Sequence, residues 1–389
     1  MAGRVYVIGA GATKIGEHWD KSLRELAVEA LLAAVKDAGI SKREIEALYV
    51  GNMMSGQLQG QEHLGALVAT WAGIPGVAAC KVEAACASGG VAFHQAYLAV
   101  ASGLYDCVAV VGVEKMTDAL PSDVTAALAT AEDQEYVVFT GASFVGLNAL
   151  LYRLYLEKYG VKQESVASFA VHCHKMAVAN PYAQFRRAVS LEEVMSSPLI
   201  ADPIRLLECA PVGDGAAALI LCSEGFLKRN PRDEIVEVTG SSVATDVLSV
   251  HERKDPLDAA AFRRAVEAAM RMSRVEVNDI DVLEVHDAFT ILGVLSLEVT
   301  GFAPKGEGSR LVVEGELEPG GKIPTNTLGG LKARGHPVGA TGVYQILDVV
   351  LQLRGKAGPN QVSEAEIGMA QNFGGVAGTV AVNVLKRVR

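Results

Sequence analysis

Apolar residues recur along the chain with two different periods, and their order predicts an α/β protein. Segment 26–51 has apolar positions at helical spacing, followed after a polar loop by the apolar run 45–50. This is typical of an amphipathic helix that leads into a buried strand. Segment 105–113 is apolar almost throughout, as expected for a strand covered on both faces. We therefore expect mostly parallel sheet with helices on both sides.

The helix-loop-strand pattern occurs twice. Segment 262–287 repeats the pattern of 26–51, and segment 339–355 repeats the helix start of 86–103. Because the two pairs lie in the same order and at comparable separations, the sequence predicts a duplicated α/β unit.

Segment 117–205 has no counterpart in the repeat. Its pattern is helical and loop-like, with helical apolar spacing over 141–160. An insertion at the end of a strand is a usual place for a substrate-binding element. The predicted domains are 1–116 with 206–235 as the N-terminal half, 117–205 as an insertion over the active site, and 236–389 as the C-terminal half.

Composition narrows the class of protein. The 389 residues are 50% hydrophobic and carry a formal charge of −10 without a basic cluster, which argues against nucleic acid as a partner. The sequence contains no uninterrupted stretch of about eighteen apolar residues, so we expect no membrane span. Residues 1–16 lack the apolar core of a signal peptide, and we expect them to form the first strand.

Six cysteines without a CxxC pair predict no zinc site and favour the reducing cytoplasm. The His-Cys-His run at 172–174 lies in a helical pattern, where alternate side chains diverge, so no metal is expected there. The remaining cysteines outside the motif below are expected to be structural.

Two glycine-rich stretches carry the candidate chemistry. Cys86 precedes Ser88, Gly89 and Gly90 at a helix start, where the helix dipole favours a thiolate and glycines let backbone N–H groups approach an oxyanion. His336 lies within a few residues of the matching position in the second half, so a pseudo-twofold would bring the two loops together. The alternative interpretations are that Cys86 is a buried structural cysteine and that His336 lies in an ordinary turn.

Together with the repeat, the segments "HDAF" (286–289) and "GHPVGATG" (335–342) resemble the thiolase family over the whole chain. "HDAF" is similar to the sterol-carrier-protein-type branch, which includes archaeal acetoacetyl-CoA thiolases. The resemblance implies a five-layer α/β/α/β/α fold, a homodimer or homotetramer, and coenzyme A thioesters as substrates. It also implies the partners hydroxymethylglutaryl-CoA synthase and a small OB-fold/zinc-ribbon bridging protein.

The resemblance assigns roles to the candidates. Cys86 is the expected nucleophile, and His336 is expected to take its proton and to bind the thioester carbonyl. His286, at the carboxyl end of a strand, would donate to the thioester oxygen of the second acyl group. Gly374, in "QNFGGVAG", would complete an oxyanion hole with the N–H of Cys86. For His286 and Gly374 the alternatives are a buried core histidine and a simple turn.

One part of the family pattern is missing. Thiolases carry a second cysteine as base, and its two usual positions hold Asn372 and Ile346. Three explanations stay open: a histidine is the base, another side chain is the base, or the chain only transfers acyl groups or works within a complex.

The leading hypothesis is reversible Claisen condensation of two acetyl-CoA molecules through an acyl-Cys86 intermediate. The alternatives are an acyltransferase or a thiolase for longer 3-oxoacyl-CoA, and a complex subunit that needs a partner for turnover. Met116 is a candidate for the acyl pocket, and Lys332 and Arg334 are candidates for coenzyme A phosphates. No metal or redox cofactor is expected.

Overall fold

A computed structural model describes residues 3–388. The strands are β1 Val5–Ala12, β2 Ala47–Gly51, β3 Ala78–Val82, β4 Cys107–Glu114, β5 Leu199–Ala201, β6 Ile204–Arg205, β7 Gly215–Ser223, β8 Val236–Thr245, β9 Val282–Glu284, β10 Ile367–Gly374 and β11 Thr379–Arg387. The α-helices are α1 Leu23–Ala38, α2 Ser55–Leu58, α3 Leu64–Trp71, α4 Ser88–Ala101, α5 Pro121–Ala129, α6 Phe144–Tyr159, α7 Gln163–Ala177, α8 Leu191–Ser196, α9 Glu224–Arg229, α10 Ala260–Ser273, α11 Thr290–Thr300, α12 Gly308–Val313 and α13 Thr341–Leu353.

The order of the strands confirms the duplication. The N-terminal half has the order β3-β2-β4-β7-β1, and the C-terminal half continues from β1 with β8-β11-β10-β9. The halves are mirror-ordered equivalents, with β8, β9, β10 and β11 standing for β1, β2, β4 and β7. The place of β3 is taken in the second half by Thr325, which bridges in parallel to Leu283.

The expectation of mostly parallel sheet was wrong. Strand β2 is parallel to β3 and β4, whereas β7 is antiparallel to both β4 and β1. The second half shows the physical reason, because β10 and β11 form an antiparallel hairpin with Gly374 opposite Thr379. In the first half the equivalent connection, from β4 to β7, contains the insertion in place of a tight turn.

The helices form three layers around the two halves of the sheet. Helix α1 packs on the outer face of the N-terminal half, and α10 packs on the outer face of the C-terminal half. Helices α4 and α13 lie side by side between them. All residues of α13 except Leu351 are buried, including the polar Gln345, Asp348 and Gln352, because other elements cover this helix on every side. The five-layer α/β/α/β/α prediction is confirmed.

Helices α5 to α8 lie in segment 117–205, and α6 and α7 pack against the core of the C-terminal half. A buried hydrogen bond ties α6 to this core, because the hydroxyl of Tyr155 donates to Glu298 at 2.5 Å. Within residues 3–388, none of the helices combines the length and the apolar character needed to cross a bilayer.

Candidate active site

Glycines allow the N-termini of α4 and α13 to meet. A Cβ on Gly89 would lie 2.8 Å from the carbonyl oxygen of Gly339, and a Cβ on Gly342 would collide with the backbone of Gly90. Larger residues would force the two helix starts apart. This close approach brings together the loops that carry Cys86 and His336, one from each half.

Cys86 sits in a tight turn directly before α4. Ala85 has a positive φ of 51°, which is uncommon for a residue with a Cβ. Ser88 fixes the turn, because its Oγ accepts from the N–H of Ala84 at 3.0 Å and donates to the carbonyl of Ala85 at 2.6 Å. The side chain of Cys86 is consequently held in one place, with 1% of its surface exposed.

The resting Cys86 is a thiol, contrary to the expected thiolate. Burial raises its pKa to about 12, and hydrogen bonds from the backbone N–H of Gly375 and from its own N–H oppose this only in part. The charges of Glu114 and Glu132 raise the pKa further. Desolvation of the charged form outweighs the helix dipole here, so a base must remove the proton during the reaction.

Two hydrogen bonds of the histidine loop are the basis on which we assign the tautomer of His336. We assign the single hydroxyl proton of Thr341 to the carbonyl of Pro337 at 3.2 Å, which leaves its oxygen to accept from Nδ1 of His336 at 2.6 Å. The proton is therefore on Nδ1, and Nε2, which has no hydrogen-bond partner, carries the free lone pair. Burial, with the charge of Arg334, lowers the pKa of His336 to about 3 and keeps the ring neutral.

His286 has the opposite tautomer. Its Nδ1 accepts from the backbone N–H of Phe373 at 3.3 Å and faces the amide nitrogen of Asn372 at 3.2 Å. The proton is therefore on Nε2, which is also buried and without a partner. Burial, His336 and Arg334 together hold the pKa of His286 well below its ordinary value. His286 is a hydrogen-bond donor at the site.

The three side chains converge. One ligand atom each of Cys86, His286 and His336 lie within 4.8 Å of one another, and the two imidazole rings are edge to face with centroids 5.2 Å apart. The cluster contains a thiol, an imidazole lone pair and an imidazole N–H. These are the parts needed for acyl transfer to sulfur: a nucleophile, its base, and a donor for the developing oxyanion.

The two residues at the positions of the missing cysteine are not bases. Asn372 is fixed by two hydrogen bonds, because its Oδ1 accepts from the N–H of Gly90 at 3.1 Å and its Nδ2 donates to the carbonyl of Cys86 at 3.0 Å. Ile346 is fully buried in the apolar core between the two halves. The structure thus joins both halves at Asn372 and leaves the second proton transfer to another group.

Gly374 packs directly on the cysteine turn. A Cβ at this position would collide with the carbonyl of Ala84, so only glycine allows this approach. The backbone N–H that reaches the sulfur of Cys86 belongs to the next residue, Gly375. Of these two glycines the sequence analysis named only Gly374. The adjacent pair Gly374-Gly375 is the sequence feature that points to both residues.

A cavity of about 330 Å³ opens at His336. Met116 lines it together with Phe144 and Leu128 of the insertion and with Phe289, and its wall is mainly apolar. Met116 also belongs to the buried cluster around Cys86. The cavity therefore reaches the cysteine-histidine cluster, and Met116 lies where the two meet.

Lys332 and Arg334 lie in the interior of the protein. Both belong to the buried π-helical turn Gly330–Arg334 and expose 2% and 0% of their surface. Arg334 forms an ion pair with Asp348 and lies 3.8 Å from Glu284. The prediction that these two side chains contact coenzyme A phosphates is wrong, because both are buried and internal carboxylates compensate the charge of Arg334.

The side chains of the His-Cys-His run also face apart. His172 and His174 bond to the backbone carbonyls of Thr325 and Arg187, at 2.7 and 3.0 Å. Cys173 donates to Asp287, which also accepts from two N–H groups of the π-helical turn.

Sequence reasoning missed Glu114, at the end of β4. Its fully buried carboxylate connects the two halves, since it binds both the loop after β2 and the loop that carries His336. Its oxygens accept four hydrogen bonds of 2.7–3.2 Å, from Nδ2 of Asn52 and from the N–H groups of Met53, Met54 and Gly339. The available signal was a single acid at the end of an apolar strand.

Glu114 predicts an acid limb in the pH profile. Burial raises its pKa to about 7, whereas the pKa values of His286 and His336 are lowered and that of Cys86 is raised to about 12. We expect kcat/KM to fall as the pH drops below about 7, because protonation removes acceptors from the histidine loop. In Glu114→Gln this limb should be absent and the rate lower at high pH.

The stability of the Glu114→Gln variant gives an independent check on the direction of the pKa shift of Glu114. Because the folded pKa exceeds the ordinary value of 4.5, the folded chain binds the proton more tightly than the unfolded chain. The stability of the wild type relative to Glu114→Gln should therefore fall as the pH rises from 4.5 towards 7. An unchanged acid limb in Glu114→Gln would assign it to another group.

Both halves of the chain match family models. Residues 5–225 match the model described as "Thiolase, N-terminal domain", and residues 242–387 match "Thiolase C-terminal domain-like". The fold and the cysteine-histidine cluster define an acyl-transfer enzyme. The chain belongs to the thiolase family, whose members are acyltransferases.

Two relatives and one solved structure illustrate the similarity. The "Acetyl-CoA acetyltransferase" of the archaeon Methanothermobacter thermautotrophicus is 46% identical over 98% of this chain and 99% of its own length. "Sterol carrier protein 2" of Homo sapiens is 34% identical over 98% of this chain and 72% of its own length. The structure "Ltp2-ChsH2(DUF35) aldolase" has a TM-score of 0.86 with 24% identity, covering 100% of this chain and 99% of its own, and shares the fold.

Proposed function

We propose that the protein condenses two acetyl-CoA molecules reversibly to acetoacetyl-CoA and free coenzyme A, through an acetyl group on Cys86. The observation that carries this proposal is the convergence of Cys86, His336 and His286 within 4.8 Å, with the Nε2 atoms of both histidines buried and without a hydrogen-bond partner. The 46% identity to an archaeal acetyl-CoA acetyltransferase supports the acetyl substrate. The cavity of about 330 Å³ is at the small end for ligand sites, which favours a short acyl group.

The test is thiolysis of 3-oxoacyl-CoA substrates of increasing chain length by the purified protein, with intact mass measured after an acid quench. We expect acetoacetyl-CoA to have the highest kcat/KM and the protein to gain the mass of one acetyl group. A strong preference for longer chains would contradict the acetyl assignment. Neither turnover nor an adduct would contradict acyl transfer altogether.

The same measurement examines the complex-subunit alternative, which the missing second cysteine motivates. An adduct without turnover, followed by turnover on addition of hydroxymethylglutaryl-CoA synthase, would favour that alternative. Full turnover by the purified chain alone would exclude a required partner.

A further inference from the structure

The condensation needs a second proton transfer, from the methyl group of the incoming acetyl-CoA. The usual cysteine is absent, Asn372 is held by backbone groups on both of its polar atoms, and Ile346 is apolar. His286 has its proton on Nε2 and points a donor, not a lone pair, at the site. At the cluster, the free acceptor is Nε2 of His336.

We propose that Nε2 of His336 is the base in both half-reactions, so that one imidazole replaces the usual pair of bases. This inference rests on the proposed function and specifies how the same site performs it. It assigns to His286 the role of donor to the thioester oxygen of the group that enolises.

A single base can account for every proton transfer of the reaction. In the first half-reaction His336 takes the Cys86 thiol proton, the sulfur bonds to the acetyl carbon, and the bond to the coenzyme A sulfur breaks. His336 then gives the proton to the departing coenzyme A thiolate and is neutral again. The second acetyl-CoA therefore meets a free lone pair.

In the second half-reaction His336 takes a methyl proton, and the electron pair of that C–H bond forms the new C–C bond to the acetyl carbon. The bond between that carbon and the Cys86 sulfur breaks, and the thiolate recovers the proton from His336. The sum is two acetyl-CoA to acetoacetyl-CoA and coenzyme A. Each step places an enolate or a thiolate beside the imidazolium, and such an anion favours the protonated ring, which the resting site disfavours.

Two buried carboxylates near Cys86 are the competing bases. Both oxygens of Glu114 are occupied by N–H donors. Glu132, from the insertion, has a free Oε2, but its Oε1 binds the N–H of Val376 and lies 2.8 Å from where a Cβ of Gly375 would stand. Since the N–H of Gly375 faces the sulfur, the backbone of Gly375 separates Glu132 from the reacting atoms.

The test isolates the methyl proton transfer in a Cys86→Ala background, which cannot be acylated. Acetyl-CoA is incubated with the variant in D₂O, and deuterium in its methyl group is measured by mass spectrometry. We expect the methyl group to exchange in Cys86→Ala. In Cys86→Ala/His336→Gln the exchange rate should be lower than in Cys86→Ala by a factor on the order of 10² or more. Cys86→Ala/Glu132→Gln should lose at most a few-fold, and the exposed neighbour in Cys86→Ala/Glu135→Gln should lose nothing.

Two results would overturn the proposal: exchange that survives His336→Gln, or no exchange in Cys86→Ala while the wild type thiolyses acetoacetyl-CoA. Loss with Glu132→Gln instead would identify that carboxylate as the base. Coenzyme A affinity, measured for every variant, separates loss of proton transfer from loss of binding. Failure of the wild type to form an adduct would count against the proposed function, not specifically against the shared base.

Thr341→Val gives a second test that leaves both imidazoles in place. Valine has nearly the same shape as threonine but cannot accept the Nδ1 proton of His336, so the free lone pair is no longer fixed on Nε2. We expect acylation of Cys86 and methyl exchange to fall by the same factor. A fall in only one of the two rates would contradict a base shared between them.

Discussion

Cys86→Ala is expected to abolish thiolysis of acetoacetyl-CoA, with a loss in kcat on the order of 10⁵-fold or more, as found when an enzyme loses its nucleophile. The acetyl adduct should disappear as well, because no other cysteine shares this position between two imidazoles. Cys86→Ser should retain little activity, since burial disfavours an alkoxide even more strongly than a thiolate.

Cys107→Ala is the matched control for Cys86→Ala. Cys107 is likewise buried, but it lies at the start of β4 in the core of the N-terminal half. This variant should form the adduct at the wild-type rate and lose only packing energy, about 1 kcal/mol per methylene-sized group. An adduct that persists in Cys86→Ala, or disappears in Cys107→Ala, would contradict the assignment of the nucleophile.

The repeat in the sequence was sufficient to predict the convergence of Cys86 and His336. Two equivalent helix starts meet when they lie next to the pseudo-twofold axis, and glycines in both allow the close approach. The strand directions could not be read in the same way. Whether β4 is followed by a hairpin or an insertion changes the direction of β7, and hydrophobic pattern alone does not encode direction.

The chemistry of the site depends on contacts that carry little sequence signal. The tautomer of His286 is set by a backbone N–H 87 residues away, and that of His336 by a hydroxyl 5 residues away. Burial raises the pKa of Cys86 and so disfavours the thiolate that the helix dipole favours, and it removes the side chains of Lys332 and Arg334 from solvent. A buried charge is recognised only through its partners, and these lie far away in sequence.

Arg334→Met should destabilise the protein by about 3–5 kcal/mol, the cost of leaving buried carboxylates without their counter-charge. Arg334 is fully buried between Asp348 and Glu284, both themselves buried. Methionine fills much of the volume, so the loss reports the charge more than a cavity. Urea unfolding followed by circular dichroism measures the change in the free energy of unfolding.

Two further variants separate charge from packing at this position. Arg334→Met/Asp348→Asn should recover part of the loss, because it removes one of the uncompensated charges. Lys175→Met breaks the exposed ion pair with Glu318 and should cost no more than about 1 kcal/mol. Equal losses in Lys175→Met and Arg334→Met would contradict a structural role for the buried pair. Since the charge of Arg334 also lowers the pKa of His336, the arginine that was expected to bind substrate instead supports the neutral base on which the site depends.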